Sequence, residues 1–146
     1  MHYPNKKYKL MVVGVSVSIF IISLTQTAFC VADSSEPNWP AFLAFLTGWL
    51  GIYGAGVSWA ANPCLLFAWV MMVKRPKYAA IASFIALLLA LLFLAFKRIM
   101  IDEAGHMGDI VGLAPGYYLW VSSMLISFIG AIIFWRIENQ VTQEKQ

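Results

Sequence analysis

Apolar and polar residues occur along this chain in long blocks, not at strand or surface-helix period. Four runs carry no Lys, Arg, Asp or Glu: residues 10–32, 39–73, 78–96 and 110–135. Charge is confined to clusters at 6–9, 33–36, 74–77, 97–109 and 136–145. A bilayer crossing takes about 20 apolar residues, so the first, third and fourth runs each fit one transmembrane helix. The 39–73 run is too long for one crossing and too short for two. The pattern predicts an all-α membrane protein: a four-helix transmembrane bundle with an extra interfacial or re-entrant helical segment before the second crossing. Crossings are expected at about residues 10–30, 54–73, 78–96 and 116–135, the interfacial segment at about 39–53, and an outer loop at about 97–115. All belong to a single integral membrane domain spanning 1–146.

Within the interfacial segment, Trp39, Phe42, Phe45, Leu46, Trp49, Leu50 and Tyr53 recur at three and four spacing. Such a stripe suits a helix at the headgroup level, where Trp and Tyr are enriched. No Lys or Arg lies on its other face, so that face is expected to pack on the bundle. The second crossing is interrupted: Gly54, Ser58 and Asn62 fall at i, i+4 and i+8, and Pro63 follows directly. Proline cannot donate a backbone hydrogen bond, so a kink near residues 59–62 and a freed Trp59 carbonyl are expected. Ser58, Trp59, Asn62 and Pro63 are therefore the candidate ligand-binding or helix-break residues. Two roles compete for them: close helix packing stitched by Asn62, worth about 0.5–2 kcal/mol, or a small-ligand or ion site at a broken helix. Packing faces are also expected at Gly14 and Ser18, at Ala82, Ala86 and Ala90, and at Ser123, Ser127 and Ala131.

Composition supports the bilayer reading, with 61% hydrophobic and 12% charged residues against roughly 25% charged in an ordinary soluble domain. The basic residues flank apolar runs, so the net charge of +3 is no nucleic-acid signal. Counting Lys and Arg sets the orientation. If the amino terminus is cytoplasmic, that side receives Lys6, Lys7, Lys9, Lys74, Arg75, Lys77, Arg136 and Lys145, and the outer side only Lys97 and Arg98. Both termini are therefore expected in the cytoplasm, across a bacterial inner (plasma) membrane, and the outer face is acidic and aromatic. The basic start before an apolar run ending in Cys30, Val31 and Ala32 also resembles a secretory signal peptide. A signal core is only about 7–15 residues long, so the longer run here favours a retained helix. The two cysteines, Cys30 and Cys64, are expected to stay unpaired.

Catalytic motifs are lacking: the sequence has no CxxC, HExxH, GxSxG or phosphate-binding glycine loop. Glu103, His106 and Asp109, three apart and beside Asp102, form a weak metal-ligand pattern. Gly105 and Gly108 make a regular helix there doubtful, and a solvated loop pairing Lys97 and Arg98 with Asp102 and Glu103 is the favoured reading. These absences predict a non-enzymatic protein without a cofactor. Its expected role is contact with another membrane or exported protein, as a complex subunit, inhibitor or immunity-type factor. Trp39, Phe42, Trp49, Asp102 and Glu103 are the contact candidates, the lipid bilayer is the standing partner, and a homo-oligomer is left open. Small-ligand or ion transport or binding at the interrupted second helix is the alternative.

Overall fold

The computed structural model describes residues 6–32, 38–51, 54–102 and 104–144. The expectations placed on Tyr53, Glu103, Lys145 and the charge cluster at 33–36 lie outside these residues. The chain is mostly helical, and four helical stretches are long and apolar enough to cross a membrane: Lys6–Leu24, Ala55–Lys74, Pro76–Ala95 and Pro115–Gln143. In chain order the elements are α1 (Lys6–Leu24), β1 (Thr27–Val31), β2 (Asn38–Pro40), α2 (Ala41–Thr47), α3 (Ala61–Lys74), α4 (Pro76–Leu92), β3 (Arg98–Met100), β4 (Met107–Leu113) and α5 (Pro115–Gln143). Short 3-10 turns at Gly48–Gly51, Ala55–Ala60 and Phe93–Ala95 join or extend them.

The four long helices pack in a ring, α1 on α5, α5 on α4, α4 on α3 and α3 on α1. Between apolar helices in lipid there is no hydrophobic driving force, so contact rests on small residues and interhelical hydrogen bonds. Two expected small faces are interior. Ala82, Ala86 and Ala90 are buried on α4, as are Ser123, Ser127 and Ala131 on α5, while Leu88, Leu91 and Leu92 point outward. The expected face of α1 is not the one used. Gly14 and Ser18 are exposed, and Lys9, Ser16, Phe20 and Ser23 are buried instead. Ser16 explains the choice: its hydroxyl donates to the Ser123 carbonyl at 2.7 Å and accepts from Trp69 Nε1 at 2.9 Å, tying α1 to α5 and α3. Where α1 and α5 approach most closely, a Cβ on Gly130 would lie 2.5 Å from Val12 Cγ1.

The all-α expectation fails at one end of the bundle, where four strands form a sheet of order β2-β1-β4-β3, antiparallel throughout. The first apolar run does not remain helical to residue 30. It leaves the helix at Leu24, turns at Thr25 and Gln26, and continues as a strand with Thr27, Phe29 and Val31, residue types that favour extended backbone. The 97–115 stretch is likewise a hairpin, not an open loop, with Arg98 opposite Asp109 and Met100 opposite Met107. Bulges interrupt both ladders of β1, between Thr27 and Phe29 and between Cys30 and Val31. Such irregularities bend a strand and increase its twist, here over the bundle end. The sheet's inner face rests on a cluster of Ala28, Phe29, Val31, Ala41, Ala55, Phe93 and Tyr117.

A short helix does precede the second crossing, as the length argument required, but the interfacial stripe divides. Trp39 lies in β2 and stacks on Phe29 (centroids 6.0 Å apart, 11° between planes), and Phe45 turns inward against Phe20. Phe42, Leu46, Trp49 and Leu50 remain exposed on one face. Near the expected place the crossing changes from a 3-10 turn, which ends at Ala60, to α3, which begins at Ala61, with helical backbone at both residues. Pro63 thus falls in the first turn of α3, where a missing N–H costs little. The Trp59 carbonyl is not left free, because the Ala61 N–H reaches both it and the Ser58 carbonyl. The 74–77 turn is as read, with Pro76 opening α4. Cys30 and Cys64 are unpaired thiols.

Candidate functional site

Between the sheet, α2 and the end of the bundle lies a cavity of about 680 Å³. This is the size of a small-molecule pocket, roughly 300–1,000 Å³. Its walls come from elements far apart in the chain. Phe29 of β1 and Trp39 of β2 form part of the roof, Phe45 of α2 and Trp59 of the 3-10 turn one side, and Phe93, Tyr117 and Trp120 the bundle side. Exposed Leu43, Leu50, Met100, Met107 and Asp102 mark the mouth; buried Ser58, Asn62, Phe93 and Tyr117 mark the depth.

The segment that carries Ser58 is held by a close backbone approach. The turn at Gly48–Gly51 lies against the turn at Ala55–Ala60, and a Cβ on Gly56 would stand 2.5 Å from the Gly48 carbonyl oxygen. Only glycine permits this contact. Trp59 then fastens the two turns to α2, its Nε1 donating to the Phe45 carbonyl at 2.7 Å. One helical turn further, Asn62 is pinned by Trp120, whose Nε1 donates to Asn62 Oδ1 at 2.8 Å. An indole N–H only donates, so the amide must present its oxygen to Trp120 and keep its NH2 as the group it can offer elsewhere.

Four hydroxyl side chains line the cavity among the described residues: Ser23, Thr47, Ser58 and Tyr117. Three are tied to carbonyls, Ser23 to Phe20 at 2.6 Å, Thr47 to Leu43 at 2.9 Å and Tyr117 to Ala90 at 2.8 Å. Ser58 is only 2% exposed, and its Oγ has no hydrogen-bond partner. A buried polar group left unpaired costs about 1–3 kcal/mol, so its survival in a chain that satisfies the neighbouring hydroxyls asks for a reason. Ser127 Oγ is also buried without a partner, but it lies on α5 outside the cavity.

Asp102 is the sole charged side chain among the described lining residues, and it sits at the mouth. Both of its oxygens face His106: the backbone N–H of His106 donates to Oδ1 at 2.9 Å, and ring Nδ1 lies 2.5 Å from Oδ2. The backbone hydrogen bond from His106, reinforced by the one to its ring, holds the Asp102 carboxyl below its ordinary pKa. Asp109, on the other strand of the hairpin, pairs with Arg98 at 2.7 Å. His106 and Asp109 are therefore engaged with separate partners, and Glu103 lies outside the described residues. Among the described residues no three His, Cys, Asp or Glu side chains converge to hold a metal.

Of the sequence candidates, Ser58, Trp59 and Asn62 come together on one cavity wall, while Pro63 is exposed and does not line it. Trp39 is drawn inward as lining, not presented for contact, whereas Phe42 and Trp49 are 55% and 53% exposed. Sequence reasoning missed Phe93, Tyr117 and Trp120. The last two fall at i, i+3 at the start of α5, a spacing that places them on one face. Compared with protein families, with characterised proteins and with solved structures, the chain shows no match.

Proposed function

We propose that this chain is a non-enzymatic integral membrane protein that binds a small apolar ligand in the cavity beneath its sheet. The carrying observation is the Ser58 hydroxyl, buried and unpartnered on the wall of a roughly 680 Å³ aromatic cavity. This is the ligand reading of the interrupted second helix, in which Ser58 and Asn62 line a common space. The membrane reading rests on the four long apolar helices. The Lys and Arg count orients them with both termini in the cytoplasm and the sheet outside, across a bacterial inner membrane. Ser58 has no acid–base partner among the described residues lining the cavity, which supports binding without turnover.

The test is to release the protein from membranes in a mild detergent and weigh it by native mass spectrometry. One small molecule should travel with each wild-type chain and be absent from Ala44→Trp, which fills the cavity. A wild-type protein that carries nothing, and melts identically with and without added membrane lipid extract, would defeat the proposal.

The protein-contact role keeps one observation in its favour. Phe42, Leu46, Trp49 and Leu50 form an exposed apolar stripe beside the sheet. A membrane or exported partner would cover it. Phe42→Ser with Trp49→Ser should then abolish co-purification of that partner and leave ligand retention unchanged.

A further inference from the structure

The polar groups at the bottom of the cavity are specific about what they can receive. Asn62 has committed its oxygen to Trp120 and retains NH2 donors. Ser58, four residues earlier on the same wall, offers a hydroxyl with no internal partner. The Asn62 NH2 can only donate, and the Ser58 hydroxyl, which has no partner within the protein, can donate beside it, so one acceptor on a ligand satisfies both. The pocket lacks a cation: no Lys or Arg is among the described lining residues, and the single charge, Asp102 at the mouth, is negative. A phosphate or carboxylate drawn into the depth would lose its hydration with no counter-charge to replace it. Most of the remaining lining is aromatic, aliphatic or glycine.

We propose that the ligand is an uncharged, lipid-soluble carbonyl compound whose oxygen accepts hydrogen bonds from Ser58 Oγ and the Asn62 amide, with its apolar body leading out between Leu43, Leu50, Met100 and Met107. The inference rests on the ligand-binding reading above and adds the chemistry of the bound group. An acyl ester of a neutral lipid and a membrane quinone both present such an oxygen on an apolar body, so the shared feature is the carbonyl. Apart from Asp102, the exposed residues at the mouth are apolar, Leu43 and Leu50 from the α2 segment and Met100 and Met107 from the β3–β4 hairpin. A water-insoluble tail can therefore leave between them.

The experiment compares two probes that differ only in the carbonyl, 2-undecanone and n-undecane, with the full chain in an alkyl maltoside, a detergent that has no carbonyl of its own. Binding is read from tryptophan fluorescence, since Trp59 and Trp120 line the site. The ketone should bind about 10-fold more tightly than the alkane, a ratio within reach of the two hydrogen bonds together. Ser58→Ala should cut that preference to about 3-fold, the share left to the Asn62 amide. Because that substitution removes a hydroxyl that bonds to nothing, it should not harm folding. An independent measurement is the infrared stretch of the carbon-13-labelled ketone carbonyl, which should move to lower wavenumber in wild type and return part of the way in Ser58→Ala. Equal affinity for ketone and alkane would overturn the carbonyl assignment and leave the cavity as a general apolar site. Binding of neither probe by folded protein would overturn the ligand-binding reading as well. Competition then separates the sources: displacement of the ketone by dioctanoylglycerol points to an ester lipid, and by a short-tailed benzoquinone to a quinone. Displacement by neither would overturn the assignment to a membrane carbonyl compound.

Discussion

Lys9 near the start of α1 and Glu138 near the end of α5 form an ion pair with Nζ and Oε1 2.5 Å apart, the two side chains 7% and 28% exposed. Lys9 Nζ also donates to the Val73 carbonyl at the end of α3, at 3.3 Å. One ammonium group thus joins three helices at the bundle end opposite the sheet. The last crossing was expected to end at about residue 135, but α5 continues to Gln143, and Val141 is buried.

Removing one partner of this pair leaves the other charge largely buried and should cost roughly 3 kcal/mol. Glu138→Gln and Lys9→Met should each lower the melting temperature in detergent. The double substitution should recover part of the loss, because neither charge is then stranded. Additive losses in the double variant would show that the two side chains do not interact.

The interior face of α1 gives a second test. Ser16→Ala strands the Trp69 indole N–H and removes the hydroxyl's bond to Ser123, a loss of about 1–2 kcal/mol. Ser18→Ala, on the exposed side, should change stability by less than about 0.5 kcal/mol. Chemical denaturation of both variants in the same detergent would rank them, and the reverse ranking would return α1 to the face first expected from Gly14 and Ser18.

Two glycines should respond in opposite directions. At Gly56 a methyl group meets the backbone of Gly48 and Gly51, so Gly56→Ala should destabilise by about 1–3 kcal/mol and weaken ligand retention. At Gly14 nothing lies within 4 Å of an added Cβ. Gly14→Ala should therefore stabilise α1 by up to about 1 kcal/mol through helix propensity. Thermal denaturation of the pair reads both signs at once.

The hairpin tip should be acid-sensitive. Because the folded state depresses the Asp102 pKa, the stabilisation from its bonds to His106 is present above the ordinary carboxylate range and lost as pH falls through the depressed value. Hydrogen exchange at the His106 amide should accelerate over that acid window in wild type. In Asp102→Asn the same amide should be less protected at neutral pH and show no such acid step.

Much of this architecture could be read from blocks of charge. Their spacing located the four long helices, because a bilayer imposes a length that soluble packing does not. The sheet escaped for the same reason. Residues 25–31 are as apolar as the helix before them, and hydropathy does not distinguish a strand that roofs a bundle from the last turns of a crossing. Only the β-forming character of Thr27, Phe29 and Val31 carried the signal, and the run's length outweighed it. At the site, Ser58 and Asn62 were visible as polar interruptions of an apolar helix. Tyr117 and Trp120 were not assigned there, because aromatic residues near a helix end serve equally as interfacial anchors. Which aromatics close on Asn62 depends on how α5 packs across the bundle, and no local pattern encodes that.

The strand pairing at the centre of the sheet joins Phe29, Cys30 and Val31 to Leu113, Gly112 and Ile110, partners from opposite ends of the chain. A ribosome delivers the first of these long before the second. During synthesis β1 must therefore wait with one edge unpaired until the third helical stretch has been laid down and β4 has emerged. Only then does the cavity acquire its roof, so a chain interrupted anywhere before residue 107 would hold helices but no binding site.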